Sequence, residues 1–160
     1  MKPSVYLETT VPSYYVSQDS RDVIVLAHQQ ITRAWWTTRL GDFRGFISPD
    51  VLEEARAGDP DQARLRLEVL DPFDVLEANE RVESLAARYV AELNIPDRAI
   101  RDAAHLAFAC AYELDFLVTW NCAHIANGQV VRRLTRLNAV AGISTPTICT
   151  PEELLTPEQS

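Results

Sequence analysis

The sequence predicts an α/β fold whose parallel sheet is covered on both faces. Two observations predict it. Short apolar runs at 5–7, 44–47 and 116–119 have strand length, and the longer segments between them carry helical periodicity. Strands that alternate with helices form parallel sheets, because each crossover lays a helix on a sheet face. No repeat, low-complexity tract or linker divides the 160 residues, so 1–160 is read as a single domain, long enough to bury a real core.

Val5-Tyr6-Leu7 is the first strand. Ile24, Ala27, Ile31 and Trp35 recur at helical spacing, which predicts a helix from about Ser20 to Leu40, stopped by Gly41. Arg44 to Ile47 reads as a strand, and Ser48-Pro49 as a helix start with serine as cap and proline in the first turn. A helix covers Asp61 to Leu70. The clearest amphipathic pattern is Val82, Leu85, Ala86, Tyr89, Val90 and Leu93, broken by Ile95-Pro96. Another helix then runs to about Glu113, followed by a strand over Phe116–Thr119 and a helix near Val130–Leu137. Thr147-Ile148-Cys149 is extended, and Thr150-Pro151-Glu152-Glu153 spells a capping box.

A net charge of −8 argues against generic adhesion to nucleic acid, where basic residues supply most of the affinity. It suits a basic partner, or carboxylates that need a bound cation. Lys2 is the only lysine among the basic residues; arginine favours bidentate contacts to phosphate or carboxylate. Three cysteines, Cys110, Cys122 and Cys149, do not make a disulfide framework, and no apolar run reaches membrane-spanning length. A reducing cytoplasm and no membrane association are the expectations.

In a parallel sheet, the C-terminal ends of strands and the N-termini of the helices that precede or follow them share one edge, and ligands bind in the crevice there. Glu8 ends the first strand, Asn121 and His124 follow a later one, Asp102 lies early in the helix after Pro96, and Glu54 lies in the second turn of the helix opened by Ser48. Glu53 competes with Glu54. By ideal helix geometry, Glu54 lies about 105° from the centre of the face set by Val51, Leu52 and Ala55, and Glu53 about 155°, so Glu54 is better placed to reach inward. Clustered carboxylates repel one another unless a cation is present. Glu8, Glu54 and Asp102 offer hard oxygen ligands suited to Mg²⁺ or Mn²⁺. The chemistry this favours is phosphodiester hydrolysis.

"VYLETTVPSYY", "ISPDVLEEARAGD", "RDAAHLAFA" and "DFLVTWNCAHIAN" resemble, in order, the motifs of PIN-domain proteins, over nearly the whole chain. The resemblance is closest to a VapC-like branch with a "YLETTxPSYY" start and a "TWNxxHIAN" segment. It implies a PIN-like, three-layer α/β/α sandwich with a short, mostly parallel central sheet. It also implies a metal-dependent endoribonuclease, the toxin of a type II toxin–antitoxin pair, that leaves 5′-phosphate and 3′-hydroxyl ends. On this resemblance Glu8, Glu54 and Asp102 are the catalytic and metal-holding acids, with Thr9, Asn121 and His124 as accessory or substrate-orienting residues. The expected partners are RNA, a small antitoxin with a basic tail and a second copy of the chain. His124 stands where the family's ending has an aspartate, and imidazole suits Mn²⁺ or Zn²⁺ better than Mg²⁺. That substitution sustains the alternative of a PIN-fold module that binds nucleic acid or protein with weak or no catalysis.

Several residues have a plainer reading. His105, three residues after Asp102, is a satisfied core histidine or a group that orients Asp102. His28 shares the face of Ile24, Ile31 and Trp35 and is structural. Cys122 and His124 resemble half a zinc site that lacks a second pair. Tyr14-Tyr15 and Trp35-Trp36 stack on unpaired bases, pack internally or form a subunit contact. Arg132, Arg133 and Arg136 form a solvated helix face or a phosphate-binding rim.

Overall fold

The computed structural model describes residues 1–157. Five short parallel strands, β1 (Ser4–Leu7), β2 (Arg44–Ile47), β3 (Asp74–Val75), β4 (Phe116–Val118) and β5 (Thr147–Cys149), form one sheet in the order β3-β2-β1-β4-β5. Every strand pairing among the described residues is parallel; β1 sits at the centre, with Val5 opposite both Gly45 and Phe116. The chain winds outward from β1 through β2 to β3, then returns to β4 and continues to β5. The order therefore reverses between β1 and β4, and their C-terminal ends flank the crevice where α/β folds place ligands.

Helices α1 (Thr10–Val16), α2 (Val23–Thr38), α3 (Pro49–Ala55) and α4 (Pro60–Leu70) fill the crossovers on one side of β1, and α5 (Glu80–Glu92), α6 (Ile100–Ala111) and α7 (Gly128–Ala141) those on the other. Right-handed crossovers put these two groups on opposite faces. Contacts within each group agree: α1 meets α2 and α4, and α5 packs along α6. Between the layers Val5, Tyr6 and Leu7 of β1 are fully buried, together with Trp35, Ile47, Leu106 and Leu117. Gly45 lies so close to Phe73 that an added Cβ would sit 2.4 Å from its ring, which explains glycine in mid-strand. Gly142, with φ of 71°, ends α7 in the left-handed conformation that glycine adopts without strain.

Three departures from the sequence reading matter. The segment after Glu8 forms α1, a helix the sequence did not announce, because Val11-Pro12 buries as a unit and proline sits in its first turn. The following helix begins at Val23 rather than Ser20, where Asp22 caps the amides of Ile24 and Val25. Its buried face is Gln29, Thr32 and Trp35, while Ile24 is 65% exposed and Ala27 is exposed as well. The polar Gln29 is buried because its amide bonds Ser17 at 2.7 Å and the Gln18 carbonyl at 3.0 Å, tying down the α1–α2 connection.

Candidate active site

Glu8 follows β1 directly and is buried, 4% exposed. Its Oε1 accepts the Thr10 hydroxyl at 2.5 Å and the Thr119 hydroxyl at 2.6 Å; its Oε2 accepts the Thr10 backbone N–H at 3.2 Å. Those hydroxyls are fixed in turn. Thr10 accepts from the Trp120 backbone N–H at 2.9 Å, and Thr119 from the Asn121 backbone N–H at 2.9 Å. The polar end of β4 is thus the clamp on the carboxylate that ends β1.

Glu54 reaches the same crevice from α3, whose N-terminus Ser48 caps by accepting from the Val51 N–H. Its Oε1 accepts the Thr9 hydroxyl at 2.8 Å and bonds His105 Nε2 at 2.6 Å. Glu53 points away, two-thirds exposed, and pairs with Arg101 at 2.9 Å. Burial penalises the Glu54 carboxylate, but the bonds from His105 and Thr9 and the nearby charges of His105 and Arg101 prevail and lower its pKa.

His105 is fully buried in α6, and both ring nitrogens are engaged: Nδ1 lies 2.6 Å from the Tyr6 hydroxyl, which lies 2.8 Å from the Ser48 hydroxyl. One ligand atom each from Glu8, Glu54 and His105 falls within a 4.8 Å cluster. With both nitrogens hydrogen-bonded, the ring serves the carboxylate rather than offering a lone pair to an ion. Burial disfavours its charged form, yet the bond to Glu54 and the charges of Glu8, Glu54 and Asp50 outweigh burial and raise its pKa. It is the satisfied core histidine of the sequence reading, but its partner is Glu54.

Asp102, in the first turn of α6, stands outside that 4.8 Å cluster. Burial and the charge of Glu54 raise its pKa, against a hydrogen bond from Asn121 and the opposing influence of His105 and His124. Asn121 accepts the His124 backbone N–H at 3.0 Å, so its side chain braces the turn near Asp102. The segment 119–121 thus places a threonine hydroxyl on Glu8 and an asparagine beside Asp102. His124 itself is half-buried beside this turn.

The sequence reading missed Thr10 as a clamp and missed the Tyr6–His105–Glu54 connection. The acid-Thr-Thr run carried a signal for the first, since a hydroxyl two residues after a strand-end acid can fold back on it. The second needed the register of β1 against α6, which periodicity does not supply. The aromatic pairs are occupied with one another. Tyr15 stacks on Trp36 at 4.4 Å, and His28 on Trp120 at 4.0 Å with Tyr14 against both. His28 is structural, through Trp120 rather than through Ile24. Cys122 is exposed, and Arg132, Arg133 and Arg136 are all exposed on α7.

The donor set suits a hard divalent cation: carboxylates from the end of β1, from α3 and from α6, with Glu54 Oε2 lacking a hydrogen bond among the described residues and Asp102 left with a net penalty for its charge.

The architecture is that of known proteins of this kind. The crystal structure of VapBC2 from Rickettsia felis bound to a DNA fragment from its promoter matches with a TM-score of 0.53 at 15% identity, covering 91% of this chain and 97% of that one. The structure of VapBC-1 from nontypeable Haemophilus influenzae matches with a TM-score of 0.55 at 14% identity, covering 92% and 97%. No protein-family model and no curated protein sequence matches the chain. At these identities the likeness establishes the fold, a PIN-like α/β/α sandwich.

Proposed function

We propose that the chain is a divalent-metal-dependent endoribonuclease acting as the toxin of a type II toxin–antitoxin pair. The observation that carries this reading is the carboxylate crevice at the β1/β4 switch point, where Glu8 and Glu54 share a 4.8 Å cluster with His105 and the charge of Glu54 acts on Asp102. Two of these acids are held by neutral hydroxyls and a histidine, with no lysine or arginine bonded to any of the three. His105 is the basic group bonded to Glu54, at Oε1, and Arg101 pairs with Glu53.

Glu8, Glu54 and Asp102 would hold Mg²⁺ or Mn²⁺. When bound, such an ion supplies charge stabilisation at a phosphoryl oxygen and makes a water easier to deprotonate. The chain's own contribution is orientation. Thr10 and Thr119 fix Glu8, Thr9 and His105 fix Glu54, and Asn121 steadies Asp102 and the turn that carries His124. His124, half-buried on the turn after β4, would contact substrate or act as an accessory ligand.

The fold likeness to VapBC complexes supports an antitoxin as partner. Charge supports the form it takes: a −8 chain with a carboxylate crevice is plugged best by an arginine on a basic tail, through bidentate pairing. None of the described helices is long and apolar enough to cross a membrane.

The deciding experiment incubates wild type and Asp102→Ala with a pooled set of structured RNAs, with Mg²⁺, with Mn²⁺ and with chelator. Metal-dependent cleavage by wild type that is lost in the variant supports the reading. Equal background cleavage in both leaves a binding module of the same fold.

A further inference from the structure

We infer that His105 is a positioning residue for Glu54, acting as the inner end of a buried chain Ser48–Tyr6–His105 that fixes one carboxylate oxygen and leaves the other free for the ion. The inference rests on the reading of Glu54 as a cation ligand.

The hydrogen inventory supports it. A carboxylate only accepts, so the 2.6 Å bond to Glu54 Oε1 puts a hydrogen on Nε2 of His105. Tyr6 is buried and its pKa lies far above the ordinary phenol value, so it keeps its proton. With a neutral ring, Ser48 donates to Tyr6, Tyr6 donates to Nδ1, and Nε2–H donates to Glu54; each donor has an acceptor. With a charged ring the Tyr6 bonds reverse, and the bond to Glu54 is unchanged. The positioning role is therefore the same in both states.

Geometry explains why this matters for a ligand. Glu54 side chains have three rotatable torsions, and the half-exposed α3 face alone does not select one conformer. Two donors on Oε1, the Thr9 hydroxyl from the β1–α1 junction and the imidazole from α6, select it from two directions. Among the described residues Oε2 has no hydrogen-bond partner. Glu8 follows the same plan, with both hydroxyls on Oε1 and a single longer bond of 3.2 Å on Oε2. Ser48 closes the circuit, since it also caps the helix that carries Glu54. Carboxylates fixed through one oxygen lose less freedom when the other binds a cation.

The test uses full-length wild type, His105→Gln, His105→Leu and Tyr6→Phe. Mn²⁺ affinity is read from the electron paramagnetic resonance of free Mn²⁺, and the fraction folded from circular dichroism. His105→Leu is expected to weaken Mn²⁺ binding about 10- to 100-fold per folded molecule, as loss of a ligand-orienting bond does. His105→Gln, which retains a side-chain N–H donor, should recover most of that, and Tyr6→Phe should show a smaller loss of the same sign. If His105→Leu does not fold, the ordering wild type, His105→Gln, Tyr6→Phe still decides. Proton NMR adds a separate readout: the His105 Nε2–H resonance should persist on saturation with Mg²⁺. Its disappearance would make His105 a ligand and overturn the inference. Unchanged Mn²⁺ affinity in the variants, with only a lowered thermal midpoint, would reduce His105 to a packing residue and overturn it too. Absence of Mn²⁺ binding by wild type itself would instead remove the metal-site reading, and this inference with it.

Discussion

The two walls of the crevice are built differently. On the β1 side, Glu8 and Glu54 together accept four side-chain bonds and one backbone bond, and the groups that donate them are themselves anchored to β4, α6 and Ser48. On the α6 side, Asp102 lies near Asn121 with a raised pKa, and His124 contributes its backbone to the turn. The first wall is held by the protein's own hydrogen bonds. The second carries the electrostatic cost that an ion would relieve. A crevice with one rigid wall and one unrelieved acid combines a preorganised site with a built-in preference for a cation.

The largest contrast should come from truncating one acid on each wall. Glu8→Ala and Asp102→Ala both remove a proposed ligand and are expected to abolish cleavage. Their effects on metal-free stability should diverge. Glu8→Ala strands the Thr10 and Thr119 hydroxyls, and leaving a buried donor unpaired costs about 1–3 kcal/mol. Asp102→Asn removes a charge the fold disfavours and should hold or raise stability. Urea unfolding of chelated protein checks this. A loss for Asp102→Asn as large as that for Glu8→Ala would show the walls to be alike.

Next in size is the cation's own effect. An ion that binds only the folded chain at 100 times its Kd stabilises it by about 2.7 kcal/mol. For a domain of this size that amounts to a rise of roughly 5–10 °C in the midpoint. Thermal unfolding with and without millimolar Mn²⁺ measures it, and Asp102→Asn should lose much of the rise. An unchanged midpoint in both proteins counts against the metal site.

The pH dependence of the chelated protein separates the walls more finely. Glu54 has a lowered folded-state pKa, so its contribution is present above its ordinary value of 4.5 and lost as pH falls through the folded one. His105 has a raised pKa, so its contribution is complete below its ordinary value of 6.5 and lost as pH rises through the folded one. The pair therefore stabilises most between about 4.5 and 6.5. Asp102, raised from 3.8, works the other way: stability declines as pH climbs from that value through its folded pKa. Urea midpoints from pH 3 to 9 should show the decline above about pH 6.5 lost in His105→Gln, and the component that falls as pH climbs from 3.8 lost in Asp102→Asn.

How far the sequence exposed each wall follows from the kind of information each uses. The alternation of strands and helices, the Ser48-Pro49 helix start and the preference for Glu54 over Glu53 rest on local periodicity and capping, and all are present in the structure. Asn121 and His124 share the turn after β4 by local spacing. What periodicity could not supply was long-range pairing: Thr119 with Glu8 across 111 residues, His105 with Glu54 across 51, Tyr6 with His105 across 99. Helix α1 was hidden for another reason. Its seven residues include one proline and two adjacent tyrosines, too short and too irregular for a helical stripe.

The smallest expected effects belong to His124, and they bear on whether the open wall is adjustable. Only its backbone N–H is bonded, to Asn121, so removing the ring costs the fold little; His124→Ala should change stability by no more than about 0.5 kcal/mol. If the ring is an accessory ligand or touches substrate, the same change should lower cleavage moderately, well short of the loss at Asp102. His124→Asp adds a hard oxygen donor and a negative charge beside Asp102. It should therefore shift the activity ratio toward Mg²⁺ over Mn²⁺, since carboxylate oxygen suits Mg²⁺ better than imidazole nitrogen does. It should also lower metal-free stability slightly, by adding repulsion that only an ion relieves. Parallel rate measurements in the two metals, with urea midpoints of the chelated proteins, test both signs. An Mg²⁺-to-Mn²⁺ ratio identical to wild type would place the His124 ring outside the ion's reach, and leave Asp102 as the sole adjustable group on that wall.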